Sequence, residues 1–186
     1  MTSFPVLGSQ DYFMSVAFIN ALKSGDPSTK AGACIVNQEK NIVAVGCNRA
    51  PGKLENIPWN KNISSDEEWL NSKYPYILYA EMDAILNKTC SSLEGCTLYT
   101  LIFPWNECAK LIVESGIKKV VYFCDKYPDN KYIEGSKRLF NEANIVCTQF
   151  KLEVNNEISQ KFFQEIANKT IHFKNYLEGN SIPSYF

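Results

Sequence analysis

Two short strings hold the residues best suited to chemistry, Tyr79-Ala80-Glu81 and Pro104-Trp105-Asn106-Glu107-Cys108. They fall on the pattern H-x-E followed by P-C-x-x-C, in which one His and two Cys hold zinc while the Glu moves protons. Zinc held in that way lowers the pKa of a bound water towards ~7 and supplies hydroxide at neutral pH. Three protein ligands and one open tetrahedral position are the usual means. Glu81, Pro104 and Cys108 are in place, but Tyr79 stands at the His position and Trp105 at the first Cys position. The frame of a water-activating metal site is present, and two of its three ligands are not.

The replacements are poor substitutes. A tyrosine ligates only as phenolate, and from a reference pKa of ~10 its ionisation at pH 7 costs about 4 kcal/mol. An indole offers an N–H donor and no lone pair. A structural zinc site is worth about 10–16 kcal/mol, of which losing two ligands removes roughly half. No metal is therefore expected at Tyr79 and Trp105, with Cys108 the remaining ligand-type residue; zinc enters only if an atypical site exists. Cys108 falls near the start of an expected helix, a setting that favours thiolate. Glu81, with no metal-bound water to act on, is expected to be a vestigial proton shuttle bonded to backbone or to Tyr79. His172 is the sole histidine and is expected to make local contacts in the tail.

Periodicity places these residues on elements. Apolar spacing predicts a helix over 12–23, stopped by Gly25-Asp26-Pro27. Two short apolar runs, 31–36 and 42–46, flank a polar turn and predict a hairpin. Residues 50–76, rich in Pro, Asn, Ser and charge, predict a long loop with one helical turn near 65–70. Helices are then expected over 79–87, 106–115 and 132–141, alternating with strands over 97–102, 120–124 and 145–150. Such alternation predicts βαβ units and a partly parallel sheet. In the tail, Val154, Ile158, Phe162 and Ile166 recur four apart and predict a covering helix.

Composition narrows the rest. The chain has 186 residues, 19 basic against 20 acidic for a net charge of -1, and 45% hydrophobic residues. That balance fits a single domain, 1–186, with a core over about 11–150 and a helical tail over 151–186. It lacks the basic footprint of a nucleic-acid binder, and no apolar run is long enough to span a membrane. Seven dispersed cysteines read as reduced thiols, expected as small buried residues, and imply cytoplasm or nucleus.

Longer strings carry a resemblance. They include Asp11-Tyr12-Phe13-Met14, the run from Asp26-Pro27-Ser28-Thr29-Lys30 to Val36, and Gly46-Cys47-Asn48. Further on come Lys73-Tyr74-Pro75-Tyr76, Ala80-Glu81-Met82-Asp83-Ala84, Asn106-Glu107-Cys108-Ala109-Lys110 and Asp125-Lys126-Tyr127. In this order they resemble the deoxycytidylate (dCMP) deaminase family. The resemblance implies an α/β, three-layer cytidine-deaminase-like fold with a five-stranded mixed sheet flanked by helices. It implies zinc-dependent hydrolysis of dCMP to dUMP, control by dCTP and dTTP, and a homo-oligomer, often a hexamer.

By position, the resemblance makes Asn48 a nucleotide contact or a strand-end turn residue. Lys30 and Arg49 become phosphate partners or merely solvated charges, and Asp125 and Tyr127 line the nucleotide cleft or form a turn. Trp59 and Trp69 are expected as loop anchors or interface residues. Beyond the two lost ligands, Asp83 stands where the family has Asn and Arg49 where it has Gly. The expectation is a pseudoenzyme that keeps fold and assembly but not zinc or catalysis. It would act in nucleotide binding, or in oligomers with itself or an active homologue; the alternative is an active deaminase with an atypical or residual metal site.

Overall fold

The computed structural model describes residues 7–52, 54, 56–63, 65–151 and 157–170. Helix α1 (Ser9–Ala21) leads into strands β1 (Gly32–Val36) and β2 (Ile42–Cys47). A short helix α2 (Asp66–Leu70) lies within the long connection to α3 (Ala80–Leu86). Then β3 (Thr97–Ile102), α4 (Asn106–Glu114), β4 (Lys119–Cys124), α5 (Lys131–Glu142) and β5 (Val146–Gln149) alternate, and α6 (Glu157–Thr170) follows. The expected elements are all present, with boundaries moved by a residue or a few.

The strands form one sheet in the order β2-β1-β3-β4-β5. β1 runs antiparallel to both β2 and β3, whereas β3, β4 and β5 are parallel. The β1–β2 hairpin closes on Asn37, whose side chain accepts from the Asn41 amide at 2.8 Å, while Lys40 takes a positive φ of 63°.

Helices cover both faces, so β1 is buried along its whole length and reads as a continuous apolar run rather than an alternating one. Phe13, Met14, Ala17 and Phe18 of α1 pack with Cys34, Val36, Tyr99, Leu101, Val121 and, from α6, Phe163. On the other face Ala80, Ala84, Cys108, Ile112, Ile133 and Phe140 of α3, α4 and α5 cover Ala33, Ile35, Leu98 and Val120. These are the three layers the resemblance implies. The layers meet closely at Gly46, where an added Cβ would sit 2.3 Å from the Ala80 carbonyl oxygen and 2.4 Å from the Ala84 nitrogen. Only glycine lets α3 approach β2 that far, and this brings the start of α3 to the site.

Two expectations fail. The covering face of α6 is Phe163, Ile166, Ala167 and Thr170, whereas Phe162 is 39% exposed. A helix turns 100° per residue, so a strict four-residue row drifts off the buried stripe and the i, i+3, i+4 set replaces it. Val154 and the side chain of Ile158 lie outside the described residues. Among the cysteines, Cys147 is exposed on β5 rather than buried, because this edge strand has four exposed residues.

Candidate functional site

Tyr79 and Trp105 are equivalent in the fold: each is the N-cap residue of a helix, α3 and α4, in extended conformation with no side-chain cap bond. The two helix starts converge beneath the C-terminal end of β3. They bring Glu81, in the first turn of α3, against Cys108 in the first turn of α4, with Sγ 3.5 Å from Oε2. Thr100 of β3 completes the group, its hydroxyl 2.5 Å from Glu81 Oε1. Glu81 therefore bonds to Thr100, Cys108 and backbone. Of the two partners expected from sequence, backbone or Tyr79, the backbone is the one it uses, and strand β3 presents a hydroxyl at closer reach than Tyr79.

Burial sets the charge states. Glu81 is 5% exposed and Cys108 fully buried. Desolvation pushes the Glu81 carboxyl above the ordinary carboxylate value, opposed by its bonds to Thr100 and Cys108. The Cys108 thiol is raised well above its usual value by burial first and then by the Glu81 carboxylate beside it. The helix start thus does not yield the thiolate expected there: loss of water and a neighbouring acid outweigh the dipole. Burial likewise pushes the Tyr79 phenol far above its ordinary value, with Cys108 adding to the effect.

The residues at this place do not fit zinc. Their donor set is a half-buried neutral phenol, an indole, a neutral thiol and a carboxyl already bonded to Thr100 and Cys108. Among the described residues, no three His, Cys, Asp or Glu side chains come together as a metal would need. His172 lies outside the described residues.

The two aromatics fill the chamber above Glu81. What remains, between Asn48, Lys73, Tyr74, Tyr79, Trp105 and Tyr127 among others, is a small pocket of about 40 Å³, partly open to solvent. Trp105 packs on Tyr127 and Tyr132, with ring centroids 5.6 and 6.0 Å away.

Of the expected nucleotide contacts, Asn48 and Tyr127 line this cavity and Lys30, Arg49 and Asp125 do not. Asn48 is committed to structure at both ends of its amide, accepting from Ala80 N at 3.0 Å and donating to the Thr29 carbonyl at 3.2 Å. It replaces the capping bond Tyr79 cannot give. Thr29 and Ala31 face the cavity, which turns Lys30 between them away; its backbone amide bonds to the Thr170 carbonyl. Asp125 pairs with Lys137 at 2.8 Å. Arg49 donates from Nε to Asp83 at 2.7 Å and from a terminal nitrogen to the Ala50 carbonyl. Trp59 is half-buried, its ring edge lying where a side chain at Gly25 would meet it, whereas Trp69 is 45% exposed.

Two features were not visible in sequence. The departures Asp83 and Arg49 meet each other: Asp83 also accepts from Cys47 N and from Asn87, at 3.0 and 2.8 Å. Lys73 reaches from the long loop to Asp26 at 2.5 Å and to Ser28 at 3.1 Å, both ions of the pair being buried. The only signals were two unusual residues 34 positions apart and one lysine in an aromatic string, and neither names a partner.

Comparison with known proteins agrees with the fold and with the family the strings resemble, and matches zinc-binding deaminases. A family model described as the cytidine and deoxycytidylate deaminase zinc-binding region matches residues 8–124. The human deoxycytidylate deaminase is 43% identical over 142 residues, 75% of this chain and 78% of its own length. A probable deoxycytidylate deaminase of Drosophila melanogaster is 42% identical over 139 residues, 73% of this chain and 68% of its own. Among solved structures, the dCMP deaminase of cyanophage S-TIM5 in complex with dCMP and dUMP superposes with a TM-score of 0.59 at 24% identity, covering 76% of this chain and 96% of that one. On sequence and fold together, the chain belongs to the cytidine and deoxycytidylate deaminase family.

Proposed function

We propose that this family member binds pyrimidine deoxynucleotides (dCMP, dCTP or dTTP) without a catalytic zinc, as a pseudoenzyme acting in oligomers of itself or with an active homologue. The observation that carries this reading is the pair of aromatics at the two helix starts. Tyr79 and Trp105 replace ligands with a phenol held protonated and an indole without a lone pair, and leave about 40 Å³ over a Glu81 bonded to Thr100 and Cys108. Exposed Ile19, Leu22 and Leu86 beside the β2 edge, and Trp69 and Leu70 on α2, support assembly.

The test is incubation of the purified protein with dCMP, reading dUMP formation and the thermal shift given by dCMP, dCTP and dTTP. The expected result is no dUMP and stabilisation by at least one nucleotide. Turnover that Glu81→Gln abolishes would overturn the loss of catalysis, and no stabilisation by any nucleotide would overturn the binding role.

A second reading, an active deaminase with an atypical metal site, is favoured by the comparisons. Identity of 43% to a curated deoxycytidylate deaminase weighs for it more than anything in the comparisons weighs for a pseudoenzyme. The retained contact of Glu81 with Cys108 supports it too. It predicts that added zinc raises dCMP turnover, where the first reading predicts a flat response.

A further inference from the structure

Strand β3 is buried from Leu98 to Ile102, and Thr100 sits in the middle of that stretch, 0% exposed. It shares a strand face with Leu98, which packs among the apolar side chains of α3, α4 and α5. A hydroxyl buried in such a layer is costly unless it is bonded. Its acceptors are Glu81 Oε1 at 2.5 Å and the Ile102 carbonyl at 3.4 Å; with one hydrogen to give, the shorter contact takes it. The other carboxyl oxygen lies 3.5 Å from Sγ of the fully buried Cys108. One chain of contacts therefore joins β3, α3 and α4 through the Glu81 carboxyl.

We infer that Thr100 is a positioning residue for Glu81, and that the Thr100–Glu81–Cys108 chain ties the strand to the two helix starts where a metal would otherwise join them. This rests on the metal-free reading and gives the retained acid a role within it: Glu81 serves the fold. A zinc site contributes folding free energy through the ligands it draws together, and the donors at this place do not fit zinc. The hydrogen-bonded chain draws the same elements together from inside the protein, because each carboxyl oxygen has a donor from a different element. The coupling has a definite sign. Removing only the hydroxyl strands a buried carboxyl oxygen, whereas replacing both partners with apolar groups of similar shape is close to neutral.

The experiment measures the melting temperature of the full chain and of Thr100→Val, Thr100→Ser, Glu81→Met and Thr100→Val/Glu81→Met, each with and without EDTA. Thr100→Val should lower it by about 2–10 °C and Thr100→Ser by much less. Introduced into the Glu81→Met chain, Thr100→Val should cost nothing measurable, and EDTA should change none of these values. Carboxyl-carbon NMR of protein labelled at its Glu side chains supplies a second readout, one that lost packing at Thr100 does not produce. The resonance that Glu81→Gln removes should move in Thr100→Val and stay in place in Thr100→Ser. Equal losses from Thr100→Val in both backgrounds, with that resonance unmoved and EDTA without effect, would overturn the tie and leave the metal-free reading standing. A native melting temperature that falls in EDTA would overturn both, since a bound metal would then be the tie.

Discussion

Lys73 is the residue on which the long loop depends. Its ammonium is buried against Asp26 and Ser28, and burial holds its pKa below the ordinary lysine value despite the opposing pull of Asp26. Desolvation therefore outweighs the pair, and the pair contributes register more than net stability. Removing one partner is a different matter, because it strands the other charge. Lys73→Met should cost about 3–5 kcal/mol in urea unfolding, and Asp26→Asn added to it should restore part of that loss. At this scale the sequence was only partly legible. It named Glu81, Cys108, Tyr79 and Trp105, because each occupies a fixed place in a short motif. It did not give Lys73 a partner, since Asp26 lies 47 residues away and a carboxylate partner leaves no local pattern. For Lys30 and Arg49 the sequence left a phosphate partner and a solvated charge both open, because a charge in a string carries no direction; in the fold neither lines the pocket beside Glu81, and Arg49 bonds to Asp83.

Among the elements, the junction of β2 and α3 is tied by the two residues, Arg49 and Asp83, that depart from the pattern the strings resemble. Asp83 in the first turn of α3 accepts from the Cys47 amide of β2 while Arg49, two residues beyond β2, donates to it. The two departures from the family pattern thus satisfy each other, and neither is tolerated well alone: Arg49→Gly leaves a carboxyl that is 5% exposed without its cation. A double-mutant cycle with Arg49→Gly and Asp83→Asn should give a coupling of about 0.5–3 kcal/mol, with the double variant more stable than the sum of the singles predicts. Additive effects would show two unrelated substitutions. Helices and strands themselves were read well from sequence, because a sheet covered on both faces forces long apolar runs and amphipathic helices. α6 was read less well: its i, i+4 row gave the right element and placed Ile166 on the covering face but Phe162 off it, a choice that only packing of Phe163 against Phe18 and Phe150 decides.

For the molecule as a whole, the two cores hold titratable groups that must stay neutral. Burial raises the thiols of Cys34 and Cys124 from 9.0 to about 12, and that of the Tyr127 phenol from 10.0 to about 12. Groups whose pKa is raised on folding contribute stability that is complete below their unfolded value. It is lost as pH climbs, because the unfolded chain releases those protons first. The melting temperature should therefore hold up to about pH 9 and fall beyond it. Cys34→Ala and Cys124→Ala should flatten that fall even where they lower stability at pH 7. A melting temperature independent of pH between 8.5 and 10.5 would contradict the burial assigned to them.

Whether the two helix starts hold a metal is read from the zinc content per chain of the purified protein, set beside that of Tyr79→His/Trp105→Cys. The native chain should contain far less than one zinc per chain after dialysis against zinc-containing buffer. The double variant should gain zinc, short of full occupancy because Asp83 and Arg49 still differ beside the site. One tightly held zinc per chain in the native protein would contradict the account and make the enzyme reading the correct one.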